Sequence, residues 1–207
     1  MRVYWANKCH EPGGTVKNQD IALLVIDMQV DFLTPSSPLY VAGGPAIIPM
    51  VHRAIECAHS AGITVIHVTR QHRASGVDVD LSRLTLFADS GSFLVAGTPG
   101  ASEVSPLEPA STDLVLAKTR WSAFFATDLD LLLRRQCIHE LVLAGVQTPN
   151  CIRATAVDAL SLDYTTTVLS DATASQSAAI QASNLADMAA MGVRMLTVAQ
   201  FEESLVR

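Results

Sequence analysis

The sequence has few of the features that would connect it to a nucleic acid, a membrane or a secretion route. Its 207 residues include 14 Lys and Arg against 20 Asp and Glu, and the basic residues form no block. A net charge of −6 disfavours binding to nucleic acid or to an anionic membrane. No stretch reaches the roughly 18 apolar residues of a membrane span, and the first residues lack the apolar run of a secretion signal. We therefore expect a cytoplasmic protein whose partner is a small molecule.

Cysteine is scarce, and its spacing follows no metal or disulfide pattern. The four cysteines form no Cys-x-x-Cys pair and have few His or acidic residues near them in the sequence. This pattern disfavours a zinc site and a disulfide framework, and we expect no bound metal and no cofactor. Free thiols are expected at all four positions, which are Cys9, Cys57, Cys137 and Cys151.

Six short runs have the length of strands and are apolar nearly throughout instead of alternating, which is typical of parallel strands covered on both faces. The runs span residues 21–27, 63–69, 113–118, 140–145, 165–170 and 194–199. Helix-like segments lie between them at residues 45–61, 127–137, 149–162 and 177–191. The alternation predicts a three-layer α/β/α fold with a doubly wound, six-stranded, mainly parallel sheet.

The length of the chain suits one domain, which we assign to residues 20–207, and residues 1–19 resemble a polar N-terminal arm. Two long connections, residues 28–44 and 70–111, follow the first and second apolar runs. The second connection is too long for a simple turn, so we interpret it as a lid or substrate loop. Ligands of such sheets bind at the carboxyl ends of the strands, where these connections begin.

One cysteine stands where the fourth apolar run turns into a helix, in the segment GVQTPNC at residues 145–151. Thr148 is a plausible N-cap and Pro149 suits the first helical position, which puts Cys151 in the first turn. The unpaired amides and the helix dipole at that point favour a thiolate and can hold a developing oxyanion. The segment alone leaves a second interpretation open, a structural cysteine in the core.

Two other apolar runs end on a charged residue. Asp27 closes the first run and Lys118 closes the third. A charge at the end of a buried strand is costly unless it is paired or used. Because the carboxyl ends of parallel strands share one edge of the sheet, Asp27, Lys118 and Cys151 are predicted to meet at that edge.

From about residue 20 to residue 199 the sequence resembles the isochorismatase-like cysteine hydrolases. The first matching motif is LLVIDMQ.DF, at residues 23–32. The second is K.RWSAF..T.LD..LR, at residues 118–134, and the third is GVQTPNCIRATAVDAL, at residues 145–160. The motifs are specific in combination, and the order Asp, Lys, Cys is the order of the family.

The resemblance implies a catalytic triad of Asp27, Lys118 and Cys151. It also implies a cis peptide bond between Val146 and Gln147, and an oxyanion hole built from the backbone N–H groups of Gln147 and Cys151. Family positions suggest pocket walls at Gln29, Phe32, Trp121 and Phe124. Just past the second run, Arg70 and His72 are candidates for contacts with a substrate carboxylate or carbonyl. Core packing is the alternative for the two phenylalanines, and a solvated loop position is the alternative for the histidine.

The retained cysteine favours the amide-cleaving branch of the family, similar to N-carbamoylsarcosine amidase and ureidoacrylate amidohydrolase. The resemblance thus implies a hydrolase that cleaves a C–N bond of a small amide, carbamoyl or ureido substrate through a thioester. Two alternatives stay open: an isochorismatase, which hydrolyses a vinyl ether and releases pyruvate, and a non-catalytic oligomeric scaffold or thiol sensor. The second connection lacks the metal motif of the family's nicotinamidases. Members of the family assemble as dimers and tetramers, so the resemblance also implies a homodimer or homotetramer.

Overall fold

The computed structural model describes residues 18–205, in which the six apolar runs form one sheet. The strands are β1 (Ile21–Ile26), β2 (Thr64–Arg70), β3 (Leu114–Lys118), β4 (Glu140–Val146), β5 (Thr165–Ala174) and β6 (Arg194–Leu196). Their order is β3-β2-β1-β4-β5-β6, and every neighbouring pair is parallel. The predicted fold class is therefore confirmed. Most of the predicted arm, residues 1–17, lies outside the described residues.

Helices cover both faces of the sheet. They are α1 (Val30–Leu33), α2 (Gly44–Ser60), α3 (Leu84–Asp89), α4 (Leu129–Arg135), α5 (Arg153–Ser161), α6 (Ala178–Ala190) and α7 (Val198–Ser204). One hydrophobic cluster joins α2 and α7 to one face, and a second joins α4, α5 and α6 to the other. Within residues 18–205, none of the helices combines the length and the apolar composition that crossing a membrane requires.

The strand β1 shows why the apolar runs do not alternate. All six of its residues are buried. Leu23 and Val25 belong to the first hydrophobic cluster, whereas Leu24 and Ile26 belong to the second. Because successive side chains of a strand point to opposite faces, a strand covered on both sides needs apolar residues at every position.

The order of the strands reverses between β1 and β4, and this reversal creates the crevice in which open α/β sheets bind ligands. Asp27 directly follows β1, and Gln147 directly follows β4. Lys118 is the last residue of β3, which is separated from β4 by the two strands β2 and β1. The topology thus brings the ends of separate chain segments to one edge.

The last strand is shorter than predicted. The run predicted over residues 194–199 ends at Leu196, and α7 begins two residues later. The cause is a capping box: the Thr197 hydroxyl accepts a hydrogen bond from the Gln200 N–H, while the Gln200 carboxamide accepts one from the Thr197 N–H. These bonds satisfy amides at the start of the helix and so override the apolar pattern.

The strand β5 is longer than predicted and continues past residue 170 to Ala174. Its pairing with β4 shifts register between Leu143 and Gly145, after which Gly145 pairs with Thr173 and Val146 with Ala174. The extra residues are less apolar than the first half of the strand, so the apolar run alone does not mark them.

Candidate active site

Asp27 occupies a constrained position immediately after β1. Its backbone lies in the left-handed region with a φ of 56°, and its N–H donates to the Val68 carbonyl at 2.8 Å. The carboxylate is fully buried. Oδ2 accepts a hydrogen bond from Lys118 Nζ at 2.8 Å, while Oδ1 has no hydrogen-bond partner. A buried carboxylate is costly unless neighbouring groups balance its charge, and here the Lys118 ammonium contacts only one of its two oxygens.

Lys118 connects the acid to the thiol. Its side chain is fully buried at the end of β3. Besides the bond to Asp27, Nζ donates to the Arg120 carbonyl at 3.1 Å and lies 3.5 Å from Cys151 Sγ. The structure therefore brings together the three side chains that the sequence predicts to meet.

The segment around Cys151 is helical but differs from the predicted helix start. A π-helical turn covers Thr148–Ile152, and α5 begins only at Arg153. The prediction of Thr148 as N-cap is wrong: Gln147 is the capping residue, and the buried Thr148 hydroxyl has no hydrogen-bond partner. The Gln147 carbonyl accepts bonds from the N–H groups of Asn150 and Ile152, at 3.0 and 3.2 Å. These bonds close the turn that holds the sulfur.

Gly145 allows β4 to approach β1 closely at this edge. Its φ is +118°, and a Cβ atom there would lie 2.0 Å from the Ile26 carbonyl oxygen. A side chain at this position therefore meets rigid backbone directly before Asp27. The peptide bond between Val146 and Gln147 is cis.

The thiol of Cys151 is held in its neutral form. Burial and the negative charge of Asp27 raise the pKa of Cys151 to about 11, although Lys118 acts in the opposite direction. Lys118 lowers this pKa, but burial and Asp27 outweigh it, so the expectation of a thiolate at the start of the helix is wrong. The thiol loses water on every side, and the ammonium that opposes this effect is already paired with Asp27.

The predicted contacts Arg70 and His72 lie side by side in the interior. Arg70 Nε donates to His72 Nε2 at 3.2 Å, and Arg70 Nη2 is paired with Asp80. His72 is buried between the edges of Phe87 and Phe93, so the solvated loop position considered for it is wrong. Burial and the charge of Arg70 lower the pKa of His72 to about 4. The ring is therefore neutral at pH 7 and acts as an acceptor for Arg70.

The predicted pocket walls have different surroundings. Gln29 is fully buried, and its carboxamide bonds to the backbone of Arg70 and to the Ala101 carbonyl. Phe32 is packed in the first hydrophobic cluster, and Phe124 packs against the second. Trp121 is 45% exposed. Contact of these four residues with a substrate stays a prediction, and packing already accounts for both phenylalanines.

The connection between β2 and β3 contributes charged residues that the sequence did not single out. Asp80 forms the ion pair with Arg70, and Arg83 lies three residues further on at the end of a short 3-10 helix. Arg120 donates to the carbonyl of Asp78, which holds this connection against the segment after β3. No local pattern marks these residues, because the folding of a long connection decides where they lie.

The four cysteines do not all match the prediction of free thiols. Cys57 and Cys151 are free. Cys137 is disulfide-bonded, so the prediction is wrong there. Cys9 lies outside the described residues. In the part of the chain that the structure describes, no group of three or more His, Cys, Asp or Glu side chains is arranged to hold a metal ion.

Residues 21–200 match the family model of the isochorismatase domain, and the chain belongs to this family. It is 43% identical over 190 residues to a protein of Arabidopsis thaliana named probable inactive nicotinamidase, covering 90% of this chain and 97% of that one. It is 32% identical to the maleamate amidohydrolase of Pseudomonas putida, covering 81% and 78% of the two chains. It is 34% identical to the ureidoacrylate amidohydrolase of Serratia proteamaculans, covering 75% and 70%.

Solved structures agree with this assignment. An isochorismatase family protein from Desulfovibrio vulgaris superimposes with a TM-score of 0.87 and 45% identity, covering 91% of this chain and 99% of the other. A cysteine hydrolase from Pseudomonas syringae superimposes with a TM-score of 0.85 and 27% identity, covering 93% and 96%. The family is a hydrolase family whose relatives include enzymes named for amide hydrolysis.

Proposed function

We propose that this protein is a cysteine hydrolase that cleaves the C–N bond of a small amide, carbamoyl or ureido substrate. Asp27, Lys118 and Cys151 are its catalytic residues. The observation that carries the proposal is the position of the Lys118 ammonium, 2.8 Å from the Asp27 carboxylate and 3.5 Å from the Cys151 sulfur. The names of the maleamate and ureidoacrylate amidohydrolases support the choice of bond.

The reaction begins from a neutral thiol. As the sulfur attacks the carbonyl carbon, its proton passes to Asp27, which acts as general base. The transfer neutralises the carboxylate and leaves negative charge on the sulfur, so Lys118 exchanges one anionic partner for another. Because the ammonium already contacts both groups, this exchange needs no large movement in the buried site.

The later steps return the proton and release the products. The backbone N–H groups of Gln147 and Cys151 form the proposed oxyanion hole for the tetrahedral intermediate. Asp27 gives its proton to the leaving nitrogen, the C–N bond breaks, and a thioester remains on Cys151. Asp27 then removes a proton from water, which attacks the thioester and releases the acid and the thiol.

The proposal is tested by ammonia release from a panel of small primary amides and ureido compounds. We expect release from at least one of them, and loss of release after iodoacetamide treatment. Cys57→Ala protein treated in parallel is the matched control, since it retains Cys151 as the target. Ammonia release that survives full alkylation of Cys151 contradicts the proposal.

The same assay separates the two alternatives. An isochorismatase releases pyruvate from isochorismate after its thiol is blocked, because vinyl ether hydrolysis needs no sulfur nucleophile. A scaffold or thiol sensor releases neither product, and this outcome is suggested by the inactive status in the name of the Arabidopsis relative. The single domain at residues 20–207, the cytoplasmic location, the absence of a metal and the homodimer or homotetramer stay predictions.

A further inference from the structure

Arg83 is a cation beside the proposed site that has lost water without gaining a partner. It ends the 3-10 helix Leu81–Arg83 in the connection between β2 and β3. The residue is half-buried, and its Nη1 atom is inaccessible to solvent and has no hydrogen-bond partner. Buried guanidinium nitrogens are normally hydrogen-bonded, so an orphaned one requires an explanation.

Two contacts connect the segment of Arg83 with the catalytic centre. Asp80, three residues before Arg83, is paired with Arg70, and Arg70 is the register partner of Lys118 on the neighbouring strand. Burial and the neighbouring Arg70 lower the pKa of Arg83, whereas the carboxylates of Asp80 and Asp27 act in the opposite direction. Arg83 therefore lies within electrostatic reach of the proposed triad.

The countercharges near Arg83 are already used. Asp27 is paired with Lys118, and Asp80 is paired with Arg70. Of Lys118, Arg70 and Arg83, only Arg83 has no paired carboxylate. A bound anion would supply the missing partner.

Arg70 offers a second orphaned donor in the same neighbourhood. Its guanidinium is fully buried and fixed through Nε to His72 and through Nη2 to Asp80 and the Thr119 carbonyl. Its Nη1 atom has no hydrogen-bond partner. A carboxylate has two oxygens with several acceptor positions, so it suits a site with guanidinium donors left unused.

We propose that Arg83, assisted by Arg70, binds a carboxylate of the substrate, which makes the substrate class the small amide acids. In such a molecule the carboxylate lies a few bonds from the carbonyl that Cys151 attacks. This inference rests on the proposed function, because it takes Cys151 as the nucleophile. It assigns Arg83 as a specificity-determining residue outside the triad.

The residues that flank Arg83 are exposed. Cys151 is only 4% exposed, so a substrate reaches it only if neighbouring side chains move aside. Leu81 is 88% exposed and Leu84 is 43% exposed, so the outer face of this segment makes little contact with the rest of the protein.

The kinetic test compares succinamate with succinamide, in which a neutral carboxamide replaces the carboxylate. We expect Arg83→Gln to lower kcat/KM for ammonia release from succinamate by about 100-fold and to change that for succinamide less than about threefold. Arg73→Gln, on the same connection but exposed and paired with Asp78, is the control and should leave both values unchanged. Equal losses for the two amides in Arg83→Gln overturn the inference.

A binding measurement tests the inference independently of turnover. Calorimetry with the Cys151→Ala protein should show succinamate binding that Arg83→Gln weakens at least about tenfold and Arg83→Lys weakens less, because lysine keeps the charge. Unchanged succinamate affinity in Arg83→Gln, or no succinamate binding at all, overturns the inference. Failure of the proposed function has a different signature: no amide or ureido compound yields ammonia, whatever residue occupies position 83.

Discussion

The protein buries two groups of ionisable side chains in which carboxylates lie next to a basic residue. The two groups differ in their role. In the catalytic group, Lys118 joins the Asp27 carboxylate to the Cys151 thiol. In the second group, which we call the His67 cluster, the His67 ring lies between two carboxylates. Its Nδ1 is 2.8 Å from Glu103, and its Nε2 is 3.3 Å from Asp113.

The difference lies in what each group connects. The His67 cluster links β2 to two residues of the connection between β2 and β3, and His59 of α2 holds Asp113 from the other side at 2.7 Å. Its ring nitrogens lie close to the carboxylates without meeting the geometry of a directed hydrogen bond. The cluster contains no nucleophile. The His67 cluster therefore holds the connection between β2 and β3 in place, whereas the catalytic group positions the side chains of the proposed reaction.

The largest expected effect separates the two groups by activity. Cys151→Ala should lower kcat for ammonia release by at least about 1000-fold, because no other group supplies the nucleophile. The same change should alter the free energy of unfolding by only about 1 kcal/mol, since one buried atom is removed. Ammonia assays and urea unfolding check both parts, with Cys57→Ala as the control. A variant that unfolds but retains kcat in its folded fraction reverses the assignment.

The opposite result is expected in the His67 cluster. His67→Gln removes the group between two buried carboxylates and should lower the free energy of unfolding by about 3 kcal/mol. Its kcat, corrected for the folded fraction, should stay within about tenfold of the unmodified protein. His52→Gln, in half-buried surroundings on α2, is the matched control for urea unfolding. An unchanged free energy of unfolding after His67→Gln would show that the cluster does not stabilise the fold.

A third prediction concerns the reactivity of the thiol. Asp27→Asn removes a negative charge that raises the pKa of Cys151, and it leaves the Lys118 ammonium free to pair with sulfur. The pKa should therefore fall below about 11, and alkylation by iodoacetamide at pH 8 should become faster while turnover is lost. The alkylation rate of Cys57 in the same protein is the internal control. Slower alkylation of Cys151 in this variant contradicts the charge assignment.

The smallest expected effect is a pH dependence of stability from the His67 cluster. Burial raises the pKa of Glu103 above its ordinary value of 4.5, and attraction to His67 offsets only part of that rise. A carboxyl group with a raised pKa in the folded state stabilises fully below its unfolded pKa, and this contribution is lost as the pH rises through the folded pKa.

Glu103→Gln should therefore flatten the decrease in the free energy of unfolding above pH 4.5. Urea unfolding from pH 4 to pH 7 measures the slope. Identical slopes for the unmodified protein and for Glu103→Gln would show that Glu103 does not contribute to the pH dependence of stability.

The meeting of Asp27, Lys118 and Cys151 was predictable from the sequence, because each follows or ends an apolar run and parallel strands share one carboxyl edge. The continuous apolar character of Ile21–Ile26 likewise identified a strand covered on both faces. Such features are local in the sequence, and the topology converts them into a site.

Other features depend on contacts that the sequence does not mark. The neutral state of Cys151 depends on how completely the folded protein excludes water, which no local pattern records. Arg83 lies in a long connection whose path is set by packing of Phe87 and Phe93 and by the tie from the Leu94 N–H to Asp31. Its position beside the triad therefore became visible only in the structure.

The most direct test of the central claim is the mass of the peptide that contains Cys151, measured after acid quenching during steady turnover of the best amide substrate. A thioester predicts a gain equal to the mass of the substrate minus ammonia, carried by Cys151 and absent from Cys57. Ammonia release at full rate from protein whose Cys151 is quantitatively alkylated, with no acyl group on that peptide, would contradict the account.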